Sequence, residues 1–219
     1  MGIWKNLKEG MKVVFFPVWL LWIFIREFCR GVSSETRRIV ILGCQGSGKT
    51  ELWCRLRGIP YQEKGPGTGS EQMEEFELGR KEDGTPVIVL TTKDIGGGEQ
   101  WVKDEYDNLI NEDGTYIFYL INLKQFEEEK KENQIRLTRI ASIIKKKQFE
   151  KCGLRLVATF YDKCGKNKKE AQAEVQSMFR DIKMMKKSKA SEIPVEVINT
   201  TNDNDVEIIK KEILKSLES

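Results

Sequence analysis

The sequence contains no histidine. Imidazole is the side chain whose unperturbed charge changes near neutral pH, and it is also the commonest metal ligand in proteins. Its absence therefore excludes histidine-based acid–base catalysis and histidine metal sites. We expect any metal ion to be a hard cation that is bound by oxygen atoms, as Mg²⁺ is.

Cysteine pairs and a strong net charge are also missing. The five cysteines form no Cys-x-x-Cys pair, and an odd number of them is typical of free thiols in a reducing compartment. The net charge is only +3, so no nucleic-acid partner is expected. With 39% hydrophobic and 32% charged residues, the 219-residue chain suits one α/β domain, which we place at residues 37–219, and a separate N-terminal segment, residues 1–36.

The N-terminal segment contains one uncharged apolar run, residues 13–25, between Lys12 and Arg26. A helix of this length covers about 20 Å of a hydrocarbon core that is about 30 Å thick. No small-x-small cleavage site follows, which argues against a cleaved signal peptide.

A helix that is apolar on all sides must be hidden from water. We therefore expect an N-terminal hydrophobic helix that attaches the chain to a membrane through residues 13–25, with the domain on the cytoplasmic side. A spanning anchor and a shallow insertion bent at Pro17 both stay open. So does a helix that is buried on the protein's own core or on a partner.

Residues 43–50, the phosphate loop, read Gly-Cys-Gln-Gly-Ser-Gly-Lys-Thr and complete the pattern Gly-x-x-x-x-Gly-Lys-Thr. An apolar strand, residues 39–42, precedes the loop, and a run compatible with a helix follows it. In such a loop, backbone N–H groups turn inward around a polyphosphate, the lysine reaches the β- and γ-phosphates, and the threonine hydroxyl ligates Mg²⁺. The predicted nucleotide-binding residues here are Gly43, Cys44, Gln45, Gly46, Ser47, Gly48, Lys49 and Thr50.

Strands alternate with helices from residue 37 onward, which predicts a P-loop α/β fold with three layers. We expect a six-stranded, mostly parallel sheet with one antiparallel edge strand, because an Asp-Gly turn at residues 83–84 indicates a hairpin. The predicted strands are residues 38–42, 74–80, 86–92, 116–122, 154–161 and 195–200. The predicted helices lie near residues 100–109, 127–147, 168–187 and 203–217.

Two further positions fit a site that senses a γ-phosphate. Asp94 follows an apolar strand and opens Asp-Ile-Gly-Gly, in which the carboxylate can hold Mg²⁺ through water and the Gly97 amide can contact a γ-phosphate. Thr68 lies in a glycine-rich stretch and can add a second hydroxyl to Mg²⁺, with Ser70 as the competing ligand. The predicted metal ligands are therefore Thr50, Thr68 and Asp94, and the predicted catalytic residues are Lys49, Thr68 and Gly97.

Two positions near the end of the chain suit a guanine base. Asp162 follows a predicted strand, and its carboxylate can accept two parallel hydrogen bonds from the N1–H and N2–H₂ edge of guanine, which adenine lacks. The last strand runs into Asn199, Thr200 and Thr201, where a backbone amide can meet the guanine carbonyl.

This set of motifs resembles the small GTPase superfamily. Residues 94–97 are similar to the Asp-x-Gly-Gly of the Arf branch, and residues 159–162, Thr-Phe-Tyr-Asp, are similar to the [Asn/Thr]-Lys-x-Asp guanine motif, which adds Thr159 to the predicted site. A hydrophobic N-terminal anchor joined to such a domain is similar to the arrangement of the signal-recognition-particle-receptor-β branch. The resemblance implies GTP/GDP and Mg²⁺ as cofactors. It also implies two loops, around Thr68 and at residues 96–101, that order on GTP and bind an effector or regulator protein.

Two residues depart from the family pattern. Phe160 stands in place of the lysine of the guanine motif, and Gly98 stands in place of the glutamine that orients the attacking water. Gln100 lies two positions further on and cannot be assumed to substitute. We therefore expect a membrane-associated switch with slow GTP hydrolysis. A constitutively GTP-bound scaffold and an ATP-using P-loop enzyme are the alternative hypotheses.

Overall fold

The computed structural model of the protein describes residues 34–62, 69–149, 152–180 and 194–215. The predicted N-terminal helix and the predicted ligand Thr68 lie outside these residues. Within the described ranges, no helix combines the length and the apolar character that crossing a membrane requires.

The strands form three hydrogen-bonded sets. β2 (Ile39–Gly43), β7 (Tyr116–Asn122), β8 (Gly153–Thr159) and β9 (Val195–Val197) make a four-stranded parallel sheet in the order β2-β7-β8-β9. A second sheet has the order β1-β5-β4, in which β5 (Pro86–Val89) pairs in parallel with β1 (Glu35–Arg37) and antiparallel with β4 (Phe76–Arg80). The short strands β3 (Glu71–Met73) and β6 (Thr92–Asp94) pair with each other.

The predicted strand count of six is wrong, because the described residues contain nine strands. One cause is a change of pairing partner at Arg38, which separates β1, paired with β5, from β2, paired with β7. The other is the pair β3 and β6. The parallel sheet and the antiparallel hairpin β4–β5 are confirmed, and β4 is the antiparallel edge strand of its sheet.

Six α-helices lie in the described part of the chain. They are α1 (Lys49–Leu56), α2 (Glu99–Asp104), α3 (Tyr106–Leu109), α4 (Phe126–Lys146), α5 (Lys168–Arg180) and α6 (Asp203–Lys215). Short 3₁₀ turns follow β7 (Leu123–Gln125) and β8 (Tyr161–Lys163). The predicted helix near residues 100–109 is present, but it divides at Glu105 into α2 and α3.

Alternating side chains of the central strands build a core on each face of the sheet, as the period of two in a strand requires. On one face, Val40 and Ile117 pack with the apolar sides of α4 and α5. On the other face, Ile41 and Phe118 pack with α1 and α6. The predicted three-layer architecture is thus confirmed.

The parallel strands place the functional candidates together. The carboxyl ends of β2, β7, β8 and β9 lie along one edge of their sheet, and ligands of open α/β sheets bind outside that edge. The phosphate loop begins at the end of β2, residues 159–162 begin at the last residue of β8, and residues 199–201 follow β9. One sheet edge therefore collects the phosphate loop and both predicted base-binding segments.

Candidate nucleotide-binding site

Glycines stand at both ends of the phosphate loop, where another residue would clash or strain the backbone. Gly43 has a φ of +149°, and a Cβ there would stand 2.5 Å from the Leu120 carbonyl oxygen and 2.6 Å from Ser47 Oγ. Gly48 has a φ of +90° and lies at the start of α1. This shape directs the loop into the N-terminus of α1, where free backbone N–H groups favour an anion.

Lys49 lies across the loop that precedes it. Its Nζ donates to the Cys44 carbonyl oxygen at 2.8 Å, and the side chain is buried. Burial lowers the pKa of Lys49, an effect that Asp94 opposes by its negative charge. A buried ammonium with a single backbone acceptor is suited to an anionic ligand such as a phosphate.

Thr50 and Asp94, both predicted metal ligands, are in direct contact. Thr50 Oγ1 donates to Asp94 Oδ2 at 2.6 Å, and Asp94 is buried at the end of β6. Hydroxyl and carboxylate oxygens are the ligands that Mg²⁺ prefers, so this pair fits a bound Mg²⁺. The third predicted ligand, Thr68, lies outside the described residues.

The backbone of Gly97 is in close contact with the backbone of the phosphate loop. A Cβ at this position would stand 2.1 Å from the Gln45 amide nitrogen, 2.4 Å from Gln45 Cα and 2.5 Å from the Cys44 carbonyl carbon. All three atoms are backbone, so only glycine allows this approach. The structure therefore brings the predicted phosphate sensor to the loop that would hold the phosphates.

The segment after β8 also reaches the phosphate loop. Thr159 is buried, and its single hydroxyl hydrogen is shared between the Ser47 carbonyl oxygen at 3.0 Å and the Ile121 carbonyl oxygen at 3.2 Å. This hydroxyl connects β8 to the phosphate loop. Phe160 has a φ of +58°, and its Cε2 lies 3.9 Å from the position of a Cβ on Gly48. The ring of Phe160 thus lies beside the loop at the position where the family has lysine.

Asp162 lies at the surface in the 3₁₀ turn Tyr161–Lys163, where its carboxylate is 3.6 Å from Lys163 Nζ. After β9, Thr200 is buried and donates to Glu51 Oε2 at 3.0 Å. Asn199 Oδ1 accepts hydrogen bonds from the amide and the hydroxyl of the exposed Thr201. The turn after β9 is therefore held internally and contacts the first turn of α1.

Sequence reasoning missed a buried polar cluster on α4 that lies behind the phosphate loop. Asn133 Oδ1 accepts from Tyr119 Oη at 2.8 Å and from Cys44 Sγ at 3.3 Å. Burial is the main reason that the pKa of Cys44 is raised to about 12, so its thiol stays protonated. Arg136, one helical turn beyond Glu132, is also buried and contacts Gly97. The Glu132/Arg136 spacing of four residues was the only signal in the sequence, and it is common on exposed helices.

A cavity of about 490 Å³ opens beside the phosphate loop and Gly98. Glu129 and Glu132 contribute carboxylates to its wall. The pKa of Glu129 is raised to about 7, first by burial and then by the charge of Glu132. The cavity therefore has an acidic wall next to the loop that would hold the phosphates. The other lining residues are Gln45, Gly46, Gly97 and Gln125.

Solved structures share this fold, although no described protein family and no curated protein sequence matches the chain significantly. The mammalian SRP receptor matches with a TM-score of 0.59 at 15% identity, over 82% of this chain and 100% of that chain. Roco2 RocCORdC of Methanosarcina barkeri, bound to GDP, matches with a TM-score of 0.54 at 15% identity. That match covers 87% of this chain and 53% of the Roco2 chain, so this chain spans about half of its length. The resemblance inferred from the motifs is confirmed at the level of the fold alone: the chain has a P-loop G-domain fold.

Proposed function

We propose that the protein is a guanine-nucleotide-binding switch that hydrolyses GTP slowly and is attached to a membrane. The observation that carries the nucleotide part is the meeting of three segments at one loop. Gly97 packs on the phosphate loop, Thr50 bonds Asp94 at 2.6 Å, and Phe160 and Thr200 lie beside Gly48. Phosphate, metal and base contacts of a nucleotide would be available within this one region.

Each group in this region has a task that follows from its chemistry. Lys49 and the phosphate-loop amides would bind the β- and γ-phosphates, and Asp162 would accept hydrogen bonds from guanine. Thr50 and Asp94 would hold Mg²⁺, which neutralises charge on the phosphates when it is bound. The Gly97 amide would report whether a γ-phosphate is present, which is the difference between GTP and GDP.

Binding and turnover of GTP by the purified full-length protein test this proposal. We expect GDP and GTP to bind in the presence of Mg²⁺, excess ATP not to displace them, and Lys49→Met to abolish binding because the buried ammonium is lost. Equilibrium titration with a fluorescent nucleotide measures this, and Lys93→Met, which removes a half-exposed surface cation, is the matched control. Displacement by ATP as effective as displacement by GTP would indicate an ATP-using enzyme instead.

Turnover of the bound GTP should be slower than about 1 per second, the range of assisted GTPases, because Gly98 carries no water-orienting amide. Gly98→Gln should raise the rate by about tenfold, equal to about 1.4 kcal/mol in the barrier. Its Cβ would meet only the mobile end of the Gln100 side chain, at 3.1–3.4 Å, so the change is tolerated. Brisk hydrolysis by the unaltered chain would contradict slow turnover.

A partner protein is part of the same proposal. We propose that the partner binds at residues 96–101 and around Thr68. The cavity beside Gly98 supports the proposed position of the contact at residues 96–101. Glu129 on its wall, next to the Glu132 that already binds Arg136, suits a cationic side chain supplied by the partner. Such a side chain would lie next to the phosphate loop and could supply the charge stabilisation that the isolated chain lacks.

Membrane attachment through residues 13–25, with the domain on the cytoplasmic side, rests on the sequence alone. The apolar run is flanked by basic residues and must be covered by lipid or by protein. When membranes from cells expressing the full-length protein are washed, we expect detergent to release it and alkaline carbonate not to. Release by high salt alone would contradict insertion, and deletion of residues 13–25 provides the control.

A further inference from the structure

Arg136 is a buried arginine whose donors point at the segment that begins with Gly97. Only 1% of its surface is exposed. Nη2 donates to the Gly97 carbonyl oxygen at 2.5 Å, and Nη1 donates to Tyr106 Oη at 3.3 Å. Glu132, one helical turn earlier on α4, accepts from Nε at 3.0 Å and from Nη2.

These contacts connect two ends of one segment. Gly97 precedes α2, and Tyr106 opens α3, so a single guanidinium holds the start and the end of residues 97–106 against α4. Glu132 fixes the guanidinium in turn, because an acidic residue four positions before a basic one is well placed on a helix. A planar fork with five donors can serve these three partners together, whereas a lysine ammonium cannot.

The position of Gly97 depends on its hydrogen bond with Arg136. Its backbone lies so close to the Cys44–Gln45 peptide that a Cβ would stand 2.1 Å from the Gln45 nitrogen. Arg136 binds the carbonyl oxygen of the same residue. The backbone at Gly97 is therefore packed between the phosphate loop on one side and the buried Arg136 guanidinium on the other.

We infer that Arg136 is a positioning residue that holds Gly97 on the phosphate loop and thereby sets the preference of the site for GTP over GDP. The inference rests on the proposed nucleotide-binding function. GTP gains from a loop that is already in place for its γ-phosphate, whereas GDP has no γ-phosphate to meet it. Without the hydrogen bonds of Arg136, GTP binding must also order residues 97–106, and this cost lowers the affinity for GTP. The affinity for GDP stays nearly unchanged.

The test compares the affinities of the full-length protein for GDP and for a non-hydrolysable GTP analogue, both with Mg²⁺. Arg136→Lys keeps the charge and loses the fork, so we expect the ratio of the two affinities to shift toward GDP by about tenfold. Arg139→Lys is the matched control, because Arg139 is on the same helix, contacts Asp107 and is partly exposed. The control should leave the ratio within about twofold.

Tyr106→Phe is the second variant, in case the altered buried cation prevents folding. It removes one acceptor of Arg136 at nearly constant volume, so it should shift the ratio in the same direction by a smaller factor. An unchanged ratio of the two affinities, including an equal loss of both, would overturn the inference. A shift of the ratio toward GTP would also overturn it. If the unaltered protein binds no guanine nucleotide at all, the proposed function itself has failed, which is a different result.

Discussion

Asp162→Asn should weaken GTP binding by about a hundredfold and improve the binding of xanthosine triphosphate. A carboxylate can accept two hydrogen bonds from guanine, whereas an amide offers one acceptor and a pair of donors. A hydrogen bond to a charged group contributes about 1.5–3 kcal/mol, and about 1.4 kcal/mol corresponds to tenfold in affinity. Xanthine has a carbonyl where guanine has its N2 amino group, so the new amide N–H group can donate to it.

The effect should be confined to the base. Asp162 lies at the surface in a short turn, so its substitution leaves the buried core and the phosphate loop as they are. Asp104→Asn, at an exposed position of α2, is the matched control and should change neither affinity. Competition of GTP and xanthosine triphosphate for a fluorescent nucleotide measures the outcome. An unchanged preference for GTP in Asp162→Asn would remove this residue from the base site.

Gly97→Ala should lower GTP affinity by about a hundredfold while GDP affinity changes by less than about tenfold. The added Cβ would stand within 2.5 Å of three backbone atoms of Cys44 and Gln45, and backbone atoms cannot rotate away as a side chain can. Residues 95–98 must therefore move away from the phosphate loop, and the Gly97 amide would then be too far away to contact a γ-phosphate. GDP has no γ-phosphate, so its affinity changes only through strain in the neighbouring backbone of Cys44 and Gln45.

The adjacent glycine provides the control. At Gly98 a Cβ would meet only the end of the Gln100 side chain, so Gly98→Ala should bind both nucleotides like the unaltered protein. Isothermal titration of each variant with GDP and with a non-hydrolysable GTP analogue separates the two cases. If Gly97→Ala binds GTP normally, the 95–98 loop has no part in sensing the γ-phosphate.

The elements with a strong apolar pattern could be predicted from the sequence. The strand at residues 116–122 has the bounds that were predicted, and its side chains are almost all buried. The phosphate loop was also predictable, because its glycines and Lys49 mark a backbone shape and a charge that few other structures require. Its contacts with Thr159, Thr200 and Gly97 could only be expected in outline, since they depend on where separate strands end.

Features that depend on pairing or on burial of polar groups were not predictable. β3 consists of Glu71, Gln72 and Met73, which show no apolar alternation, so its pairing with β6 leaves no mark in the sequence. The buried guanidinium of Arg136 was missed because a helix rich in glutamate and lysine has the pattern of a solvated surface. Only the folded structure shows that Gly97 and Tyr106 are its partners.

The most direct test of guanine-nucleotide binding is the identity of the nucleotide that the full-length protein carries when it is purified in Mg²⁺ without added nucleotide. Denaturation releases the bound compound, and chromatography against standards identifies it. Our account predicts GDP or GTP, because Lys49, Thr50 and Asp94 meet at the phosphate loop and Asp162 follows the strand beside them. An adenine nucleotide in the protein, or failure of the protein to bind either GDP or GTP when they are supplied, would contradict it.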